Sequence, residues 1–341
     1  MKKIIDKLLK SKNPIIKYKL LVDVLNENSN SKKIKQLQQE ISNFPIIKIL
    51  INNLNERSFK RFYQKWTGAN WILLTLADLD YPANDKLLLP KIDTFIDYWL
   101  NPEITETVII EKNTPVEEIK KLKGVPLINN RYRRCACQQA IALFTALKLD
   151  TQNKKIHQLV DLLLKWQWPD GGWNCDRNPE AKISSFYESF IPLRALGLYS
   201  LTHTNEKVKN AIKNSSEVFL KRELFKSLKS GLPINNNFLK LHYPYYWRYN
   251  ILIGLKVLAE NDLINDSRCS DALDIIENKY IEDKGWPAEI KYYKTLTNPD
   301  VLRIPSNSDL VDWGGVNKNE MNEWITIDAL YILVKANRIK I

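Results

Sequence analysis

Apolar residues recur along this chain at two helical densities. In segments 4–10, 14–25, 31–40, 91–100, 156–166, 208–219 and 271–279 they fall three and four apart with polar residues between, the pattern of a helix with one buried face. Near Trp71, Gln139, Phe190, Asn250 and Ile327 the apolar run is nearly continuous, which predicts helices buried on most sides. These five lie roughly 50 to 80 residues apart, the spacing of an irregular repeat of helical pairs. Turns are marked by Trp beside Gly or Pro: Trp66-Thr67-Gly68, Trp168-Pro169-Asp170-Gly171-Gly172-Trp173, Gly285-Trp286-Pro287 and Trp313-Gly314-Gly315. Proline removes a backbone donor and glycine takes turn conformations, so neither continues a helix. The predicted unit is an outer helix, a tight aromatic turn, a loop and an inner helix, and the predicted class is all-α. Breaks in the pattern predict a loop at 26–30 and a mixed insertion at 101–130 with a short strand of a hairpin at 107–110. Further on they predict a short glycine-stopped helix at 224–231, a loop at 235–241, a helix from Pro244 to 259 and a long loop at 291–318.

The chain has 341 residues, 44% hydrophobic and 26% charged, enough for one large domain or two ordinary ones. No linker divides it, so the expected organisation is an N-terminal helical cap at 1–44 and one domain at 45–341. The net charge is +12, but the 51 Lys and Arg are dispersed among acidic residues, which weighs against nucleic acid as a partner. Met1-Lys2-Lys3 opens an amphipathic segment too polar for a secretory leader, and no apolar run reaches the length of a transmembrane span. Four Cys in a chain of this size do not make a disulfide framework. The expectation is a cytoplasmic protein with reduced thiols.

Candidate chemistry gathers where inner helices begin. Arg131, Arg133 and Arg134 precede Cys135 and Cys137, either an anion clamp with activated thiols or a solvated basic loop with packed cysteines. Cys175 and Asp176 follow the Trp173 turn, and Tyr187 and Glu188 open the next inner helix. Asp176 and Glu188 are candidate catalytic carboxylates; the bland alternative is that Asp176 caps a turn and Glu188 reaches back to Ser185 as a helix cap. Asp309-x-x-Asp312 precedes the Trp313 turn, and Asp312 is the candidate acid of raised pKa, or a loop Asp bonded to its own backbone. Segment 242–250 is rich in rings and includes Tyr246, Trp247 and Arg248, a belt for packing or for holding a cation. His157 and His203 fall on outer or loop positions and carry no expected role.

Gln167-x-x-x-Gly171-x-Trp173 resembles the QW motif of squalene-cyclase-type proteins, and the surrounding unit is similar to one repeat of protein prenyltransferase β subunits. Five stretches, one of them holding this motif, resemble as a set bacterial prenyltransferase and squalene-oxidase repeat proteins: 65–71, 133–135, 166–176, 242–244 and 312–318. The resemblance implies an (α/α) toroid of helical hairpins, with the leading ends of the inner helices around one mouth that suits an anionic ligand. It implies an apolar small-molecule substrate, such as a prenyl diphosphate, held by Arg133, Arg134, Trp173, Tyr187, Tyr246, Trp247 and Arg248, with cyclisation or prenyl transfer as the reaction. In prenyltransferase β subunits zinc is held by an Asp and a Cys two positions apart and by a His that opens a following inner helix. Here Cys175 and Asp176 are adjacent, and Tyr187 or Glu188 stands where that His would be. Cys135 or Cys137 could complete a zinc set of Cys135, Cys175 and Asp176. The acidic motifs Asp-x-Asp-Asp and Asp-Asp-x-x-Asp of cyclases and ionising synthases are absent. Three readings stay open: an isoprenoid-handling enzyme, a zinc-dependent enzyme on the same scaffold, and a non-catalytic binding module.

Overall fold

The computed structural model describes residues 1–111, 114–297 and 303–341. Sixteen α-helices and five short strands occur among the described residues, so the protein is mostly α-helical. The chain divides into two compact units, one formed by 1–82, 223–246 and 250–341, the other by 83–222 and 247–249. No helix of the described residues is long and apolar enough to cross a membrane.

In the first unit the inner-type helices are Ala69–Asp78, Ile251–Glu260 and Glu323–Lys335, each buried nearly all round. The last two start at side-chain caps that the sequence supplies, while Ala69–Asp78 starts at Gly68 without one. Asn250 accepts the Ile253 N–H at 3.0 Å and Asn322 accepts the Ile325 N–H at 3.1 Å, each satisfying a helix donor that has no partner within the helix. One-faced helices cover them: Pro45–Asn53 packs on Ala69–Asp78, and Ser270–Asn278 on Ile251–Glu260. The helix Pro14–Lys19 and the π-helical turn Leu20–Val24 pack on Glu323–Lys335. This brings charges into the interior, where each needs a partner. Lys19 pairs with Asp80 at 2.6 Å, and Lys256 with Asp328 at 2.6 Å, while Tyr245 donates to the other oxygen of Asp328.

In the second unit Cys137–Leu149 and Phe186–Ser200 are the inner-type pair and pack against each other. Leu89–Leu100, Ile156–Trp166 and Glu206–Leu220 each bury one face on them. All five nearly continuous apolar runs are therefore helices buried on most sides.

Several local expectations are corrected. The 107–110 strand exists as Thr107–Ile109, but it pairs in parallel with Val125–Ile128, reached through the helix Val116–Lys121. The hairpin is the next pair, Val125–Ile128 with Arg131–Tyr132. Its turn residues Asn129 and Asn130 both take left-handed conformations, as a two-residue hairpin turn requires. Segment 224–231 is not a helix. It forms a hairpin-like loop with Lys226 bridged to Pro233, because only Leu224 and Phe225 are buried and no helical face would gain cover. The helix expected from Pro244 begins only at Ile251, since Tyr246 has φ +49° and breaks helical geometry. In the 291–318 loop Lys294–Thr295 pairs in parallel with Ser308–Asp309. Residues 112–113 of the expected insertion and 298–302 of the long loop lie outside the described residues.

Candidate metal centre

The Gln167–Trp173 turn is locked by its own residues. Gln167 Nε2 donates to the Gly171 carbonyl at 2.7 Å and to the Ala211 carbonyl at 2.9 Å, tying the turn to Glu206–Leu220. Asp170 accepts the Ser184 N–H at 2.8 Å and its hydroxyl at 2.6 Å. Gly171 has φ +103°, and a Cβ there would lie 2.1 Å from the Asn214 carbonyl oxygen, so no other residue fits. Trp173 is 1% exposed. Its indole N–H donates to Leu163 O at 2.9 Å and its backbone N–H to Ser189 Oγ at 3.0 Å. The QW-type sequence is thus a clamp joining an outer helix end to an inner helix start, and Trp173 wedges the core rather than facing a substrate.

That clamp positions three candidate ligand side chains from three segments. Beyond the turn, Asn174 forms a parallel bridge with Arg133, which sets Cys175 beside Cys135. Ser189, held by Trp173, fixes the first turn of Phe186–Ser200 and therefore the place of Glu188. Ligand atoms of Cys135, Cys175 and Glu188 all lie within 4.8 Å of one another, and the three residues are half-buried. The Cys175 thiol donates to Glu188 Oε1 at 3.5 Å. Glu188 Oε2 is shut from solvent and has no hydrogen-bond partner among the described residues. The buried Cys137 lies against the same carboxylate, where its thiol and backbone N–H favour the charged form.

The electrostatics follow from this crowding. Burial pushes the Glu188 carboxyl up, against the hydrogen bonds from Cys137 and Cys175. The bond with Cys135, then burial, then the charge of Glu188 push the Cys175 thiol far up. Burial likewise raises Cys137. The effect runs one way: the Glu188 charge raises both Cys137 and Cys175, while their hydrogen bonds favour the ionised Glu188. Arg134 is the adjoining cation. Its guanidinium lies 5.7 Å over the Trp99 ring and 5.9 Å from that of Trp166, and Nε donates to Gln139 at 3.3 Å. Its Nη2 is buried with no partner among the described residues.

The other candidates are placed as follows. Asp176 is exposed, outside the thiol group, and accepts the Asn178 N–H at 2.9 Å; it caps a turn, and Glu188 stands in the ligand set where Asp176 was expected. Glu188 does not cap its helix, and Ser185 makes no side-chain cap bond. Arg133 is buried rather than solvated; it stacks 4.5 Å over Trp168 and donates to Ala181 O at 3.0 Å, joining two loops. Tyr187 and Trp247 are half-buried rings 5.3 Å apart, and Arg248 lies 5.3 Å over Trp247. Tyr246 belongs to the first unit, stacked at 4.4 Å on Trp66.

Asp312 is not an acid of raised pKa. It is exposed, and although burial acts to raise it, Lys291 at 3.2 Å and the Gly314 N–H hold it below the usual range. The raised acid of this loop is Asp309, three residues earlier. It is 1% exposed, and burial pushes it up to about 6 despite donors from Tyr246 at 2.6 Å and Trp313 Nε1 at 3.0 Å. The available signal was its place before Leu310-Val311, on the apolar side of the loop. Family models and curated proteins both yield no match to the chain.

Proposed function

We propose that this protein is a zinc-dependent enzyme whose helical pairs close into an (α/α) toroid, with Cys135, Cys175 and Glu188 as the protein ligands. The observation that carries this reading is the meeting of three ligand atoms from three segments within 4.8 Å, with one oxygen of Glu188 buried and unpartnered among the described residues. Ligands of a tetrahedral zinc ion lie roughly 3.5 to 3.8 Å apart, given Zn–S and Zn–O bonds near 2.3 and 2.1 Å. The Cys175–Glu188 separation of 3.5 Å is already of that size. Two thiolates and a carboxylate form a donor set suited to zinc, and three protein ligands leave one position open, as in catalytic sites.

Charge balance supports the same reading. Two thiolates and one carboxylate carry three negative charges; a divalent ion leaves one, and Arg134 offsets it. Zinc would supply a Lewis acid at the open position. Arg134 Nη2 would bind and orient an anionic group of the substrate. Tyr187 and Trp247 would offer ring faces to an apolar portion and exclude water from it. The substrate class that fits these parts and the resemblance together is a prenyl diphosphate, with prenyl transfer or cyclisation as the reaction.

Elemental analysis of purified protein, after reconstitution with zinc and removal of excess, tests the centre. The expected content is about one zinc per chain, lost in Cys175→Ser and in Glu188→Gln. A wild-type protein that retains no zinc after this treatment would falsify the reading.

A further inference from the structure

The first unit carries a projection that the helical pairs do not use. Residues 225–234 form a hairpin-like loop closed by three backbone bonds, each 2.8 Å: Ser227 N–H to Leu232 O, Gly231 N–H to Ser227 O, and Ile234 N–H to Phe225 O. Its root is fixed. Leu224 and Phe225 are buried, and Lys226 pairs with Glu223 and with Asp271. Beyond that root three large aliphatic side chains stand in water: Leu228 is 66% exposed, Leu232 67% and Ile234 47%. Lys229, also exposed, sits between them. Residues 225–234 hold no Asp or Glu, Lys229 is the cation at the tip, and the two carboxylates that meet Lys226 lie at the root.

We infer that this hairpin is an anchor for the surface of an anionic lipid bilayer. Leu228 and Leu232 enter the acyl region, with Lys229 at the phosphate level. Exposed leucines with nothing over them cost solvation in water and gain it back on burial. A bilayer asks only for apolar side chains and cations near its charged headgroups, and binding grows with both. A protein partner would more usually meet aromatic anchors and arginine in a packed patch. This tip has neither, and it offers no carboxylate to a basic partner. The bracing matters as well: a loop already held by its own backbone bonds loses little freedom when it inserts. The inference is independent of the zinc reading, since no ligand of that centre belongs to this loop.

Co-sedimentation with phosphatidylcholine vesicles, with and without about one third phosphatidylglycerol, tests the inference. Wild-type protein is expected to bind the anionic vesicles, and less so as salt rises. Leu228→Ser/Leu232→Ser should weaken that binding by about tenfold or more, and Lys229→Glu by less. Leu87→Ser, at a leucine 75% exposed elsewhere, should leave it unchanged. Melting curves of the double variant should match wild type, because both positions are exposed. Failure of the wild type to sediment with anionic vesicles overturns the inference, as does equal binding by the double variant. Light scattering that shows a dimer dissolved by the same double substitution also overturns it, and assigns the hairpin to contact between copies.

Discussion

At Trp173 the backbone N–H donates to Ser189 Oγ at 3.0 Å, and the indole N–H donates at 2.9 Å to Leu163 O, ten residues back. At Trp286 the backbone N–H donates to Thr326 Oγ1 at 3.0 Å, and the indole N–H donates at 2.7 Å to Ile276 O, again ten residues back. The glycine before each tryptophan touches the same hydroxyl: a Cβ on Gly172 would lie 2.5 Å from Ser189 Oγ, and one on Gly285 2.9 Å from Thr326 Oγ1. The two units thus contain the same clamp. They part at two positions that the clamp leaves open. Two residues after the tryptophan stands Cys175 in one and Ala288 in the other; just before the hydroxyl residue stands Glu188 in one and the buried Ile325 in the other. One copy is packed apolar, and the other places a thiol and a carboxyl at those positions. The clamp makes the architecture, and the chemistry is written only at positions where architecture makes no demand.

The largest expected effect separates the two copies by metal. Zinc at a thousandfold excess over its dissociation constant should stabilise the protein by about 4 kcal/mol in denaturant titrations. Cys175→Ser should abolish this, and Ala288→Ser should not. Persistence of the zinc effect in Cys175→Ser would mean that the two turns do not differ in this way.

The first unit has its own buried acid of raised pKa, Asp309, which stands outside the thiol–carboxyl group. Asp309 has a folded pKa of about 6 against roughly 3.9 when unfolded. Between those values the folded chain keeps a proton that the unfolded chain has lost. Its favourable contribution is therefore full below about pH 4 and disappears as pH rises through about 6, a change of about 3 kcal/mol. Stability curves from pH 4 to 8 should show this fall, and Asp309→Asn should flatten it. An unchanged slope in that variant would place the titration elsewhere.

Smaller effects probe the clamp itself. Gly172→Ala and Gly285→Ala should each cost about 2 kcal/mol by overpacking, with Gly285 also strained at φ +78°. Ser189→Ala and Thr326→Val each remove the acceptor of a buried N–H and should cost about 1 to 2 kcal/mol. Loss of stability in one member of either pair without the other would show that the matched bonds do not carry matched weight.

Much of this was legible in the residues. Helical pairs announce themselves because burial on one face or on all faces leaves different apolar spacing, and all five nearly continuous runs are helices buried on most sides. The turn at 167–173 was legible because Pro and Gly restrict the backbone whatever surrounds them. The thiol–carboxyl group was only half legible. Cys135, Cys175 and Glu188 were all candidates, but Asp176 was grouped with Cys175 by adjacency. Neighbouring side chains on an extended segment point to opposite sides, so adjacency separates them in space. Asp309 was passed over for Asp312 for a related reason: both lie near tryptophan, and only packing tells which is dry.

The sequence by itself determined the elements: where helices run, where they must stop, and which of them lose every exposed face. Those properties follow from side-chain polarity and backbone restriction, which act over a few residues. Tertiary structure alone decided which carboxylate meets which thiol, which aspartate keeps its proton near pH 6, and which leucines remain in water. These depend on approaches between segments far apart in the chain, where a shift of one position exchanges a buried side chain for an exposed one.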